Sequence, residues 1–430
     1  MKSKLLIAAL LLWALIPGCR PKHAPHLSDE ALLDTVERYT IKYFTDFADP
    51  ATGLARERNN DQNGNIVTIG GSGFGMMAVI AGAERGYYPQ AEGVERVGKM
   101  VSSLEKFERF HGAWAHWYDA DSGGTFSFSQ FDDGGDLVET AFMVQGLLTA
   151  RQWLLDKDAE LAARCDKLWK DVEWDWYTRG TDSLYWHWSK NYEWKMNHRI
   201  SGYDETLITY ILAGSSPTHP ISRECYEASY KTSNYYYNGK EYYGIKLPLG
   251  MEYGGPLFFS HYSYLGLDPR GLNDDYCDYF ERNTAHTLIH RAYAIANPKG
   301  HKGLGEFLWG FTSSDDPDVG YSSHHPGTQD ENGTVSPTAA ISSIVYTPKE
   351  SLQMMHYLYY ETDMFGPYGF YDAYNAGREP AVVDHYLAID QGPEAVMIEN
   401  YRSGLLWKLF MSSPEILPGL QKLGFRYETN

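Results

Sequence analysis

The sequence predicts an all-α fold, a single α/α toroid in which a ring of inner helices is enclosed by outer helices. Segments rich in small and apolar residues alternate with amphipathic segments along the chain, and strand signals are sparse. An inner helix is covered on every side, whereas an outer helix shows one face to water. No Pro/Gly/Ser-rich linker divides the chain after residue 28, so we predict one domain over residues 28–430.

The first five predicted helices establish this alternation. A helix is expected from residue 28 to about residue 48, with apolar side chains at helical spacing. Residues 70–87 and 137–154 are small and apolar, as in inner helices, whereas residues 91–110 are amphipathic and residues 158–176 are more polar. Further helical segments are predicted at 204–213, 220–231, 274–296, 337–345, 349–361 and 384–402.

One hairpin interrupts the helical pattern. The segment SNYYYNGKEYYGIKLPLG, residues 233–250, predicts a β-hairpin that turns about Asn238 and Gly239. Long polar and aromatic connections are usually functional. In a toroid they would gather at one end and build a cleft, and we place the hairpin at that end. These long connections are 111–135, 179–203, 298–335 and 363–383.

The N-terminus resembles a bacterial lipoprotein leader. Lys2 and Lys4 precede the apolar run LLIAALLLWALIPG, and Cys19 follows it. We predict a signal peptide over residues 1–18, a lipidated Cys19 and a tether over residues 19–27. The protein would then lie in the cell envelope, periplasmic or anchored to the outer membrane by the lipid alone. The alternative is ordinary secretion with cleavage nearby.

Composition narrows the class of ligand. The net charge of −19 argues against a nucleic-acid partner, because phosphate binding favours a basic face. Aromatic residues make up 15% of the chain, which fits either a bulky core or a carbohydrate cleft. The segments HGAWAHWYD and DSLYWHWSKNYEW mix aromatic and polar residues as a sugar-binding cleft would. Cys165, Cys225 and Cys277 form no paired framework, and we expect buried thiols or at most one disulfide.

The stretch GGDLVETAF places Asp136 and Glu139 directly before an apolar helix. This spacing is typical of a capping box. It also places two carboxylates close together, beside a glycine pair, and glycosidic bond cleavage requires two carboxyl groups. A helix N-terminus lowers the pKa of a carboxylate, so these two residues fit a charged role better than that of a proton donor.

Two other acidic segments resemble this one. In SGYDETLITYILAG, Glu205 opens a helix or acts as a general acid, whose pKa would be raised by a second carboxyl and aromatic neighbours. Asp390 precedes Gln-Gly-Pro, so it is an N-cap before Pro393 or a catalytic carboxylate. No metal site is predicted, and no organic cofactor is required, because two carboxyl groups and water suffice for glycoside hydrolysis.

Several blocks, in order, resemble a known family. SGYDETLITYILAGSSPTHP, GTVSPTAAISSIVYTPKESL, LWGFTSSDDPDVGY, YGFYDAYN and YLAIDQGPEAVMIENYRSGLLWKLFM are similar to the glucoamylase-like family of bacterial endo-β-1,2-glucanases, glycoside hydrolase family 144. The resemblance covers about residues 30–425. It implies a single (α/α)6 barrel and inverting, internal hydrolysis of β-1,2-linked glucan to short sophoro-oligosaccharides.

The resemblance also implies where the acids of the cleft lie. It places Asp136, Glu139 and Glu205 there, with Asp390 as a further member. We expect Glu205 to be the general acid and Asp390 the base, acting through water, while Asp136 and Glu139 bind the scissile region or share that role. From composition and loop position, the expected sugar contacts are Arg58, His116, Trp117, Tyr185, Trp186, Trp188 and Tyr203.

Two other functions stay open at this point. One is a different glycosidase or a transglycosylase on the same barrel, for example one that acts on α-glucan. The other is a glycan-binding surface lipoprotein without catalysis, although pure binding needs fewer acids than this cleft would hold. We expect a monomer whose partner is a β-glucan.

Overall fold

The computed structural model describes residues 26–60 and 65–428. The predicted signal peptide, Cys19 and most of the tether lie outside the described residues. Within the described ranges, none of the helices combines the length and the apolar character needed to cross a bilayer.

Helices dominate the described chain. Ser28 caps the first of them by accepting a hydrogen bond from the Ala31 N–H, as the sequence predicts for a helix opening there. The helices are α1 (Asp29–Thr45), α2 (Ile69–Glu84), α3 (Gln90–Leu104), α4 (Leu137–Leu154), α5 (Ala159–Lys170), α6 (Leu207–Ser215), α7 (Arg223–Ser229), α8 (Tyr279–Ala296), α9 (Pro337–Ile341), α10 (Pro348–Glu361), α11 (Ala388–Arg402), α12 (Leu405–Met411) and α13 (Ile416–Leu423).

The predicted alternation of enclosed and half-exposed helices is confirmed. Every residue of α2 except Glu84 is buried, and α4 and α6 are enclosed in the same way. By contrast, α3, α5 and α10 bury one face and show the other to water. One hydrophobic core runs through the helices, with members from Leu32 to Phe425. The last two helices, α12 and α13, were not predicted.

Glycine permits the close approach of the two central helices α2 and α4. A Cβ on Gly73 would lie 2.4 Å from the Phe142 carbonyl oxygen, and one on Gly146 would lie 2.4 Å from the Gly73 carbonyl oxygen. Such contacts are too short for any side chain, so alanine at either position would force the helices apart. The small residues that marked these helices in the sequence therefore have a packing function.

Fifteen short strands connect the helices within the described ranges. They pair in antiparallel fashion into one three-stranded sheet and six two-stranded sheets. The strands are β1 (Ile66–Thr68), β2 (Trp117–Asp119), β3 (Thr125–Phe126), β4 (Gly135–Asp136), β5 (His187–Trp188), β6 (Glu241–Tyr242), β7 (Ile245–Lys246), β8 (Leu272–Asn273), β9 (Ser313–Asp316), β10 (Gly320–Ser323), β11 (Phe365–Gly366), β12 (Gly369–Phe370), β13 (Ala373–Tyr374), β14 (Val382–Val383) and β15 (Arg426–Tyr427).

The predicted hairpin is present, but its turn and its position differ from the prediction. β6 pairs with β7, so the chain turns at Tyr243 and Gly244, which both have positive φ. The Asn238 side chain instead donates to the carbonyl oxygens of Gly250 and Met251 and anchors the base of the hairpin. The hairpin packs against α8 rather than at the cleft.

The three described cysteines are free thiols. Cys165 and Cys225 are buried, as predicted, whereas Cys277 is partly exposed. Burial raises the pKa of the Cys165 and Cys225 thiols to about 12, so both stay protonated at neutral pH.

Candidate active site

A cavity of about 440 Å³ opens where the inner helices begin. Its wall includes side chains from the first turns of α4 and α11 and from the segments that lead into α2 and α6. This arrangement is the one expected of a toroid whose inner helices start at the cleft. The wall residues are Glu57, Arg58, Thr68, His116, Trp117, Phe128, Ser129, Asp132, Asp136, Val138, Glu139, Phe142, Trp186, Met196, His198, Glu205, Phe258, Tyr262, Tyr321, Leu387 and Ile389.

Asp136 caps α4 and faces the cavity at the same time. Its Oδ1 accepts hydrogen bonds from the backbone N–H groups of Val138 and Glu139, at 3.0 and 2.9 Å. The reciprocal half of the predicted capping box is absent. The Glu139 carboxylate reaches across to α2 and accepts from the Gly70 N–H at 2.8 Å, while the Asp136 N–H donates to Trp114. The carboxylate of Glu139 therefore links two inner helices.

The glycine pair before Asp136 lets two strands meet beside the cavity. A Cβ on Gly134 would lie 2.2 Å from the Trp188 carbonyl oxygen, and one on Gly135 would lie 2.2 Å from the Tyr177 hydroxyl. With no Cβ there, β4 pairs with β5, which brings Trp186 to the wall. The Trp186 Nε1–H donates to Asp136 Oδ2 at 3.1 Å.

His116 joins the two carboxylates of α4. Its Nδ1 lies 3.0 Å from Asp136 Oδ2, and its Nε2 lies 3.8 Å from Glu139 Oε1. The Phe128 ring stacks on the imidazole with the ring centres 4.1 Å apart. Burial opposes the charged imidazolium, but Glu139 and Asp136 together raise the pKa of His116 to about 9. A cation is thus held between two acids at neutral pH.

The carboxyls of the cavity differ in their pKa values. Although burial favours the neutral acid, the charge and hydrogen bond of His116 and the N–H groups of α4 lower the pKa of Asp136. Burial and the neighbouring Asp136 charge raise the pKa of Glu139 to about 7. Asp136 therefore supplies an ionised carboxylate at neutral pH, as the helix-start argument predicted, whereas the pKa of Glu139 is raised against that prediction, because burial and the Asp136 charge outweigh the helix terminus.

Glu205 has the opposite electrostatic character. It precedes α6, and the Ser263 hydroxyl holds its backbone carbonyl at 2.5 Å. Burial, followed by the nearby negative charges of Asp204 and Glu139, raises the pKa of its carboxyl well above the ordinary range. Glu205 is thus a protonated acid on the cavity wall at neutral pH.

Arg58 lines the cavity, but most of its donors are already used. The guanidinium donates to Glu57 through Nε and Nη2 and to both oxygens of Asp315 through Nη1. Little donor capacity remains for a sugar hydroxyl. Arg58 therefore ties two acidic segments together at the edge of the cavity.

Asp390 lies behind the wall. Its helix α11 begins at Ala388 with Leu387 as N-cap, so Asp390 is in the first turn. The alternative prediction that Asp390 is the N-cap before Pro393 is therefore wrong. Its side chain is buried, and neither carboxyl oxygen meets an N–H or O–H donor of the described residues. Ile389, its neighbour in sequence, is on the wall. The predicted base therefore reaches the cavity only through an intervening group.

Four of the seven predicted sugar contacts are on the wall: Arg58, His116, Trp117 and Trp186. The other three do not line this cavity, because each side chain packs elsewhere. Tyr185 lies under the guanidinium of Arg179, at 4.5 Å from the ring centre, and Trp188 packs edge-on against Trp176. Tyr203 is fully buried and hydrogen-bonded to the Tyr264 hydroxyl.

Several wall residues were not found from the sequence. Glu57, Asp132 and His198 come from loops, and no local motif marks them. Tyr262 forms part of the floor of aromatic rings with Phe258, Phe74 and Phe142. The dense aromatic run FFSHYSY was the only signal that could have pointed to Tyr262.

One set of wall residues has ligand atoms close enough to hold a metal ion. The candidate atoms of His116, Asp132 and Asp136 lie within 4.8 Å of one another. However, each oxygen of Asp136 already accepts two hydrogen bonds, and its Oδ2 partners include the His116 Nδ1. These contacts make His116 and Asp136 a hydrogen-bonded acid–base pair, with the Asp132 carboxyl close by.

Replacing His116 by Asn is expected to remove a pH-dependent part of the stability. The pKa of about 9 in the folded protein lies above the ordinary value of 6.5. The charged imidazole therefore stabilises the fold fully below pH 6.5, and this contribution is lost as the pH rises through 9. The variant should be less stable by on the order of 1–3 kcal/mol near pH 6, with the gap closing near pH 10.

Urea unfolding of both proteins across this pH range measures the gap. His356→Asn is the matched control, because that ring contacts Asp29 at the protein surface, far from the cavity acids. A gap between wild type and His116→Asn that is the same at every pH would contradict the assigned charge state.

The chain matches a protein-family model and is similar to known proteins. The Glycoamylase family model, described as "Putative glucoamylase", matches residues 197–414. An exo β-1,2-glucooligosaccharide sophorohydrolase (non-reducing end) of Parabacteroides distasonis is 43% identical over 422 residues, which cover 92% of this chain. The chain spans 58% of the length of that curated relative.

Two solved structures show the same fold. The endo-β-1,2-glucanase of Chitinophaga pinensis, in complex with sophorotriose and glucose, is 51% identical with a TM-score of 0.90, and the match covers 93% of this chain and 99% of that one. The glucoamylase of Hormoconis resinae is 10% identical with a TM-score of 0.52, covering 88% of this chain and 73% of that one. The second likeness concerns the fold alone.

Proposed function

The chain belongs to the Glycoamylase family, and on that premise we propose that it is a glycoside hydrolase that cleaves β-1,2-linked glucan internally with inversion. Two relatives above 40% identity carry names for enzymes that act on β-1,2-linked glucans. Internal cleavage is favoured because the endo-acting relative is the more similar of the two and is matched over nearly its whole length.

One observation in the cavity carries the proposal most directly. Glu205 is held neutral by burial and like charge, while Asp136, on the same wall, is held ionised by His116. These environments keep one carboxyl able to donate a proton beside a charged group that can bind the sugar, as hydrolysis by a general acid requires. A protein that only binds glycan has no use for a carboxyl kept protonated at this place.

Glu205 is proposed as the general acid that protonates the glycosidic oxygen as the bond breaks. A second carboxyl must then take a proton from the attacking water, on the opposite face of the sugar. We assign this role to Asp390, acting through an intervening water or hydroxyl because its carboxyl lies behind the wall. Asp136 and Glu139 bind and orient the sugar at the scissile bond, and Trp117 and Trp186 offer ring faces for stacking.

The helices are proposed to close into an (α/α)6 barrel. The alternation of enclosed and half-exposed helices and the likeness to the fold of a glucoamylase support this. We further propose that the protein is a monomeric lipoprotein of the cell envelope, anchored through Cys19. The leader-like sequence before Cys19 supports this localisation.

A glucan panel tests the function. Purified protein would be incubated with linear β-1,2-, β-1,3- and β-1,4-glucan and with α-1,4-glucan, and the products separated by size. We expect short oligosaccharides from the β-1,2-linked chain, with intermediate lengths early in the reaction. Release of sophorose alone from the outset would assign exo action, and cleavage of the α-glucan alone would refute the proposal.

A further inference from the structure

We infer that Asp372 is a positioning residue for the general base. Asp372 and Asp390 share one proton, and the pair, rather than Asp390 alone, takes up the proton of the attacking water. This inference rests on the proposed hydrolytic function and deepens it. It assigns a role to a buried carboxyl that the sequence did not single out.

The two carboxyls are placed against each other without other donors. Asp372 lies between β12 and β13, and its Oδ2 accepts from the Asp315 N–H at 2.6 Å. Its Oδ1 and both oxygens of Asp390 are buried, and among the described residues no N–H or hydroxyl donates to them. The two side chains are nevertheless within hydrogen-bond contact of one another. Because ionised carboxylates only accept, this contact is a hydrogen bond only when one member carries a proton.

The surroundings disfavour a second negative charge. Asp315 adds negative charge beside the pair, and burial and Asp372 raise the pKa of the neighbouring Glu394 well above its ordinary range, so that this carboxyl stays neutral. Arg58, whose charge lowers the pKa of Asp372, donates to Asp315 and Glu57, and the His385 Nδ1 lies 2.7 Å from Asp315 Oδ2. On the cavity side the remaining titratable groups near Asp390 are two phenols, Tyr262 and Tyr321, which are neutral at ordinary pH.

The direction of the pKa values agrees with one shared proton. Burial and the neighbouring Asp372 raise the pKa of Asp390 well above its usual range. Burial also raises the pKa of Asp372, to about 7, although the hydrogen bond from Asp390 opposes that rise. Two like-charged carboxyls in contact therefore ionise in two steps, and the middle state holds one proton.

The reaction balances with the pair as the proton acceptor. The water oxygen bonds to the anomeric carbon as one of its O–H bonds breaks, and that proton reaches Asp390. The proton already on Asp390 passes to Asp372, which becomes neutral. Glu205 gives its proton to the leaving glycosidic oxygen. After product release the pair loses one proton to solvent and Glu205 regains one, so the net reaction is hydrolysis.

Replacement of Asp372 by Leu tests the pairing, because Leu is similar in shape and has no donor, whereas the amide of Asn would donate to Asp390 in place of the shared proton. In the wild type, the protonated partner stabilises the single negative charge, so the active monoanion forms at a lower pH than an isolated buried carboxylate would. In Asp372→Leu, which lacks that donor, the acid-side limb of the kcat/KM profile should therefore move to higher pH by about one unit or more. On that limb kcat/KM should fall about tenfold, while the alkaline limb set by Glu205 stays in place.

Glu399→Gln is the matched control. Glu399 lies on the same helix as Asp390, about 13 Å further along its axis, and its hydrogen bond with Glu37 forms another contact between buried carboxyls. This variant removes a buried carboxyl of the same kind without touching the cavity, so its pH profile should match that of the wild type. An acid-side limb in Asp372→Leu that is unchanged or moves to lower pH would overturn the inference.

Infrared titration of protonated carboxyls separates this inference from the proposed function, because it needs no activity. The wild type should show two ionisation steps for the pair, and Asp372→Leu should show a single step, that of Asp390, at a pH between them. A single wild-type step would contradict the pairing even if β-1,2-glucan is cleaved. Should Asp372→Leu fail to fold, Asp390→Asn serves instead, since Asp372 alone would then titrate in one step.

Discussion

Replacing Glu205 by Gln is expected to lower kcat on β-1,2-glucan by about 10³-fold while leaving KM within a few-fold of the wild type. General acid catalysis typically contributes ~10²–10⁴ to the rate. Gln keeps the size and one acceptor of the side chain but has no proton to give to the leaving oxygen. Because Glu205 is partly exposed on the cavity wall and protonated in the folded protein, its neutral isostere should fit without loss of stability.

A substrate with a good leaving group shows whether this variant is slow because it cannot donate a proton or because it is misfolded. In a dinitrophenyl glycoside of a β-1,2-linked oligosaccharide, the dinitrophenolate leaves without being protonated. Glu205→Gln should therefore cleave this substrate at nearly the wild-type rate. The alkaline limb of the kcat/KM profile should also disappear in the variant. Equal losses on glucan and on the activated substrate would remove Glu205 from the role of acid.

Replacing Asp390 by Asn should cost a similar factor, about 10²–10⁴ in kcat, because the water then has no proton acceptor. Unlike Glu205→Gln, this variant should be slow on the activated glycoside as well, since water attack is needed for both substrates. Added azide, which attacks without losing a proton, should restore part of the rate and yield the α-glycosyl azide. Kinetics with and without azide measure both effects.

Glu139→Gln is the companion variant for that experiment. Glu139 is on the wall and has a pKa of about 7, so it is the structural competitor for the role of base. We expect the loss of its charge to weaken sugar binding and the hydrogen bond that the Gly70 N–H donates to it. If azide instead rescues Glu139→Gln, and Asp390→Asn keeps near-normal turnover, then the base is Glu139 and the inference about Asp372 fails with the assignment of Asp390.

The helical framework was predictable because its signals are local. Small residues such as Gly73 and Gly146 marked enclosed helices, and the amphipathic segments marked outer ones. Asp136 was predictable for the same reason, since N-capping depends on residues within one helical turn. The turn at Tyr243 and Gly244 was misplaced because Asn-Gly is the stronger turn signal, yet the Asn238 amide is used to anchor the chain.

The rest of the site depends on contacts between distant segments. Asp372 meets Asp390 only after β13 and α11 are in place, and neither sits in a motif that shows the contact. The aromatic composition led us to predict that both Trp186 and Tyr185 contact the sugar, but only Trp186 lines the cavity. Adjacent residues in an extended segment point to opposite sides, so only one of the two reaches the cavity. Which one does so depends on the pairing of β4 with β5.

The stereochemistry of the first product is the most direct test of the account. Proton NMR would follow the anomeric signals while the protein cleaves a β-1,2-gluco-oligosaccharide, within the first minutes before mutarotation. Two carboxyls acting on opposite faces of the sugar, with no covalent intermediate, predict that the new reducing end appears as the α-anomer. Initial release of the β-anomer would mean retention and contradict the mechanism, and the absence of any new reducing end would contradict the function.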